Sequence, residues 1–137
     1  MSPRILVIDD EPETTAILRR LLTRRGFVVA EENESTHALH SAHAFQPHVV
    51  ILDYAMPICH GGDVAWQLWC DPFLREVKVI MCTGVPEADF RLKLPPRDIP
   101  ILTKPIDGEA LVHLIRGSLG DLGSPAGPGA RSQPGGN

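Results

Sequence analysis

His48-Val49-Val50-Ile51-Leu52-Asp53-Tyr54-Ala55-Met56-Pro57 is an apolar run closed by a carboxylate and a turn. So short a run, rich in β-branched residues, is the pattern of a strand buried on both faces of a parallel sheet. Three other runs end the same way. Ile5-Leu6-Val7-Ile8 leads to Asp9 and Asp10, Val79-Ile80-Met81-Cys82 to Thr83, and Ile99-Pro100-Ile101-Leu102-Thr103 to Lys104. In an open α/β sheet the carboxyl ends of the strands share one edge, and ligands bind in the crevice there. Polar groups far apart in sequence are therefore expected to converge: three carboxylates, a hydroxyl and an ammonium.

Strands are expected near residues 4–9, 27–31, 48–53, 77–82 and 99–103, alternating with helices. Pro12 suits the first turn of a helix that carries Ile17, Leu18, Leu21 and Leu22 inward and stops at Gly26. A second helix begins at Ser35 or Thr36, buries Ala38, Leu39, Ala42 and Phe45, and stops at Pro47. A third runs from about Gly62 to Cys70, with Asp71-Pro72 beyond it. Pro86, Pro95, Pro96 and Pro100 leave room for only a short helix, about residues 87–93. The last starts near Asp107 and carries Ala110, Leu111, Leu114 and Ile115. Five strands alternating with about five helices imply an α/β, doubly wound parallel sheet.

The 137 residues suffice for one core, assigned to residues 1–119. Residues 120–137 are Gly/Pro-rich and too poor in apolar side chains to offset their ordering, so they read as a disordered tail. The net charge of -4 argues against direct nucleic-acid binding, and Arg19, Arg20, Arg24 and Arg25 read as a solvated helix face. Cys59, Cys70 and Cys82 form no CxxC pair, and no signal peptide or long apolar run is present. A cytoplasmic protein with no membrane contact is expected.

Asp9 and Asp10 alone read equally well as a helix start, where acids favour the positive end of the dipole. Joined by Asp53 and Lys104, they read as a site for a hard divalent ion, and Mg²⁺ suits few carboxylates and several waters. Asp53 is the candidate nucleophile for a phosphoryl group, with Lys104 and Thr83 placed to bind its oxygens. Lys104 precedes Pro105, and a cis bond there would aim its ammonium into the crevice.

Over about residues 3–119 the chain resembles a response-regulator receiver domain of two-component signalling. The motifs are Val7-Ile8-Asp9-Asp10-Glu11-Pro12, Ile51-Leu52-Asp53-Tyr54-Ala55-Met56-Pro57 with Gly61, Met81-Cys82-Thr83-Gly84, and Leu102-Thr103-Lys104-Pro105. The resemblance implies a flavodoxin-like sheet of order 2-1-3-4-5 and phosphorylation of Asp53 by a histidine kinase or phosphotransfer protein. By it, Asp10, Asp53 and the Ala55 carbonyl ligate Mg²⁺, Asp9 holds a metal-bound water, and Thr83 and Lys104 bind the phosphoryl oxygens. It also implies a signalling module and not an enzyme, with a downstream protein target.

The departures from the family pattern are specific. Ile101 stands where the family carries a switching Tyr or Phe, and 94–100 lacks the usual end of the fourth helix. Ala55 and Val85 are apolar where the hydrolytic water is handled, so a changed dephosphorylation rate is expected. A degenerate receiver acting as a phosphorylation-independent scaffold is the alternative. A haloacid-dehalogenase-type phosphatase is disfavoured, since Ala55 and Pro57 stand where its motif wants Asp and Thr.

Val64, Ala65 and Leu68 should take the core face of the third helix, leaving at least one of Trp66 and Trp69 partly outside. That indole reads either as half-buried packing or as a partner or homodimer contact. His37, His40 and His43 walk around a helix and read as a solvated face, and His60 as loop packing.

Overall fold

Alternate residues of the apolar runs serve opposite faces of one sheet. Leu6, Ile8, Val50, Leu52, Val79 and Met81 join one core cluster, while Ile5, Val7, Val49, Ile51, Ile80 and Cys82 join the other. A strand whose two faces are both apolar needs helices on both sides, and the computed structural model, which describes residues 2–123, has them.

The strands are β1 (Arg4–Ile8), β2 (Val28–Glu32), β3 (Val49–Leu52), β4 (Lys78–Thr83) and β5 (Ile101–Thr103). They form one sheet in the order β2-β1-β3-β4-β5, with every pair parallel. The helices are α1 (Pro12–Arg24), α2 (Ala38–Phe45), α3 (Gly61–Cys70) and α4 (Gly108–Gly123). Side chains of α2 and α3 pack on the first cluster and those of α1 and α4 on the second. The expected doubly wound sheet and its strand order are thus observed. Residues 124–137, most of the expected tail, lie outside the described residues.

Two expectations need correction. The short helix over 87–93 is instead a pair of 3₁₀ turns, Glu87–Asp89 and Arg91–Lys93. Phe90 between them is buried, with 1% exposed. It stacks on Tyr54 at 4.4 Å between ring centroids, and that contact fixes the segment in place of a regular helix. The second correction is on α1, where Ile17 is 60% exposed and does not face inward. The buried positions are Thr15, Leu18 and Leu22. Thr15 takes the inward place because its hydroxyl is hydrogen-bonded there, to Glu31 Oε1 at 2.7 Å.

Other local signals hold. Pro12 opens α1, and Gly26 follows its end with φ 94, the left-handed region that suits glycine. Val64, Ala65 and Leu68 are fully buried on α3, Trp66 is 46% exposed, and Trp69 Nε1 donates to the Val77 carbonyl at 2.8 Å. Arg19 pairs with Glu31 and Arg25 with Glu109. No helix among the described residues is long and apolar enough to cross a membrane.

Candidate functional site

Strand pairing carries past the strand ends and assembles the site. Ile8 lies beside Leu52 in the register, and the next step of the ladder is the Asp53 N–H donating to the Ile8 carbonyl at 3.0 Å. Asp9 follows β1 with its N–H on the Glu32 carbonyl at 3.1 Å. Beyond β5 the Lys104 N–H donates to the Thr83 carbonyl at 2.9 Å. Three strands thereby deliver acids and ammonium to one edge.

One carboxylate oxygen from each of Asp9, Asp10 and Asp53 lies within 4.8 Å of the others. Asp9 and Asp53 are buried, at 3% and 6% exposed, while Asp10 is more open to solvent. Lys104 Nζ donates to Asp9 Oδ2 at 2.7 Å and to Asp53 Oδ2 at 3.4 Å. The Lys104–Pro105 bond is cis. Glu11 also reaches the ammonium, with Oε1 at 3.6 Å from Nζ.

One ammonium thus serves several carboxylates. Burial pulls the Lys104 ammonium down, but the Asp9 hydrogen bond and the charges of Asp53 and Asp9 outweigh it and push it up to about 12. Burial pushes the Asp9 carboxyl above its ordinary value despite the hydrogen bond from Lys104, and the Asp53 charge adds to the rise. The carboxylates around Lys104 hold the cation in its charged form, while burial first and the Asp53 charge second leave Asp9 under-compensated.

The loop after Asp53 turns back tightly. The Ala55 N–H donates to Asp53 Oδ1 at 3.3 Å, and the Gly61 N–H to the Tyr54 carbonyl at 2.7 Å. A Cβ on Gly61 would stand 2.6 Å from the Asp53 carbonyl oxygen, so only glycine lets α3 start against the end of β3. His60 caps that helix by accepting from the Asp63 N–H at 3.2 Å. Its ring stacks on Tyr54 at 4.8 Å.

Of the residues singled out from sequence, Asp9, Asp10, Asp53 and Lys104 come together, and Ala55 adjoins them through its N–H. Thr83 stands at the same edge, fully buried. Its hydroxyl accepts from the Val85 N–H at 3.3 Å and is not hydrogen-bonded to the acids. Sequence reasoning named Glu11 only within the motif at residues 7–12 and gave it no role, although a third consecutive acid was the available signal. Nothing local in the sequence marks Phe90 or His60 as partners of Tyr54.

The donor set fits Mg²⁺: hard oxygens, excess negative charge, and one open side where Asp10 meets solvent. A separate cavity of about 500 Å³, lined by Trp69, Arg75, Lys78, Arg97 and His113 among others, lies at the opposite edge of the sheet and shares no residue with the acids.

A family model described as response regulator receiver domain matches residues 5–116. The response regulator PleD of Caulobacter vibrioides is 32% identical over 117 residues, which are 85% of this chain and 26% of that protein. The DNA-binding response regulator MtrA of Mycolicibacterium smegmatis is 31% identical over 120 residues, 87% of this chain and 51% of that protein. The chain thus spans about a quarter of the first relative and half of the second. Among solved structures, the signal receiver domain of an HD domain-containing protein from Pseudomonas fluorescens superposes with a TM-score of 0.81 at 22% identity. That match covers 88% of this chain and 97% of the other. The chemotaxis response regulator CheY4 of Vibrio cholerae superposes with a TM-score of 0.78 at 19% identity, over 87% and 100% of the two chains.

Proposed function

The chain belongs to the response regulator receiver family, and from that membership and the site geometry we propose that it is a phosphoacceptor switch whose acceptor is Asp53. The observation that carries this is the meeting of Asp9, Asp10, Asp53 and Lys104 at the carboxyl edge of the sheet. The phosphodonor is the phosphohistidine of a histidine kinase or phosphotransfer protein in the cytoplasm, and the output is a contact with a protein target.

In the transfer, an Asp53 carboxylate oxygen attacks phosphorus in line, forming the P–O bond as the P–N bond to the donor imidazole breaks. Asp10, Asp53 and the Ala55 carbonyl would hold Mg²⁺ directly and Asp9 through a water, and the ion supplies positive charge against the phosphoryl oxygens. Lys104 stays protonated throughout the neutral range, since its pKa lies at about 12, and its ammonium turns from the acids to a phosphoryl oxygen. The Thr83 hydroxyl already accepts from the Val85 N–H, which leaves its proton for another phosphoryl oxygen. Catalysis here is positioning and electrostatics, and the product is a switched state of the domain, not a released compound.

The test is intact-mass analysis after incubation with Mg²⁺ and acetyl phosphate. The wild type gains one phosphoryl group, while Asp53→Ala and an EDTA-treated sample gain none. A wild type that gains nothing, or a gain surviving in Asp53→Ala, would overturn the acceptor assignment and leave the scaffold reading.

A further inference from the structure

Behind Asp9 runs a line of polar groups that phosphoryl chemistry leaves unused. Thr15 on α1 is fully buried, and Asn33 follows the end of β2. Asn33 Nδ2 donates to the Asp9 backbone carbonyl at 2.8 Å and to Thr15 Oγ1 at 3.0 Å. An amide nitrogen carries two protons, so both are spent. The Asp9 carbonyl can only accept, which fixes the amide with its nitrogen toward it. Thr15 Oγ1 therefore receives from Asn33 and sends its single proton on. Glu31 Oε1 is the nearer acceptor at 2.7 Å, against 3.1 Å to the Pro12 carbonyl. The other oxygen of Glu31 meets the Arg19 guanidinium. The line runs in one direction, Asn33 to Thr15 to Glu31, and ends on a paired charge.

What the line grips is the peptide plane that joins Asp9 to Asp10, because the Asp9 carbonyl belongs to it. That plane is rigid. Fixing its oxygen sets the direction in which both acid side chains leave the backbone. Asp9 is otherwise tied by its N–H to Glu32 and by its side chain to the Glu11 N–H and Lys104.

We infer that Asn33 and Thr15 are positioning residues, holding the Asp9–Asp10 peptide so that the acid pair is preorganised for a divalent cation. The inference rests on the receiver reading of the acid site. A satisfied, partly buried network of this kind rigidifies what it holds, and outer partners of metal ligands tune affinity.

The test is Mn²⁺ binding to the full chain, followed by electron paramagnetic resonance, with thermal melting alongside. Asn33→Ala removes both donations, and Thr15→Val removes the hydroxyl at nearly constant volume. Each is expected to weaken Mn²⁺ binding by about tenfold, while Thr15→Ser, which keeps the hydroxyl, retains wild-type affinity. Folded variants that melt earlier but bind Mn²⁺ as tightly as wild type would overturn the inference and leave a structural role only. Should Thr15→Val fail to fold, Asn33→Ala decides alone, since Asn33 lies outside the helix and is not fully buried. A wild type whose Mn²⁺ binding is absent, or is unchanged by Asp53→Asn, would overturn the metal reading of the acids itself and the inference with it.

Discussion

Ile58 sits in the left-handed backbone region with φ 70, and its side chain is 88% exposed. A β-branched residue there costs on the order of 1–2 kcal/mol, and so little buried surface offsets almost none of it. Ile58→Gly removes the strain but gives the unfolded chain about 0.4–1 kcal/mol of extra freedom. The expected net gain in urea denaturation is therefore up to about 1.5 kcal/mol, with Ile58→Ala giving none because its Cβ remains. A loss of stability in Ile58→Gly would mean that the side chain braces the loop after Asp53. At this scale the acid positions were legible because each closes an apolar run, as Asp53 closes Val49–Leu52. Thr15 and Ile17 were not: hydrophobicity ranks Ile17 for the core, yet Thr15 takes the inward place because a hydroxyl can reach Glu31. Pattern alone does not reveal a polar residue whose partner is sixteen positions away.

Between the strands, local pattern and long-range contact divide the control. β1, β3 and β4 were legible because their residues are apolar on both faces. The segment from Gly84 to Pro100 was not, since its prolines exclude a long helix without saying what replaces it. The replacement is set from outside by the stack of Phe90 on Tyr54, whose ring also stacks with His60. The start of α3 is likewise set by close approach. A Cβ on Gly61 would stand 2.6 Å from the Asp53 carbonyl oxygen and 2.8 Å from Tyr54 Cα, and neither backbone atom can yield cheaply. Gly61→Ala should cost about 2 kcal/mol and slow phosphorylation by acetyl phosphate, because relief must move Asp53, the proposed acceptor. Gly84→Ala, with nothing within 4 Å of its new Cβ, should leave stability nearly unchanged. Equal melting temperatures for the two variants would show that α3 can shift without disturbing β3.

Over the whole molecule, the acid site carries a cost in stability that a bound cation would offset. Burial raises the Asp9 carboxyl above its ordinary value, so the folded chain holds that proton more readily than the unfolded one. The stability associated with Asp9 is thus fully present below its unfolded value and is lost as pH rises through its folded value. Lys104 adds no compensating slope in the neutral range. Its contribution is present below 10.5 and fades only as pH rises through about 12. At neutral pH the folded chain therefore carries an under-compensated buried carboxylate. Asp9→Asn removes that charge, so in EDTA at pH 7 the variant should melt a few degrees above wild type. Mg²⁺ held at the acids as proposed would relieve the same penalty in the wild type, and a ligand at a hundredfold its Kd stabilises by about 2.7 kcal/mol. Its effect on the wild-type melting temperature should be largest at pH 7 and shrink as pH falls toward 4, where protons compete for the same oxygens. In Asp9→Asn the Mg²⁺ increment should be smaller at every pH. Melting curves with EDTA and with Mg²⁺ across pH 4–8 check both signs. An Asp9→Asn variant that melts below wild type in EDTA would show that the bond to Lys104 outweighs burial, and that the acids are held by the lysine and not poised against one another.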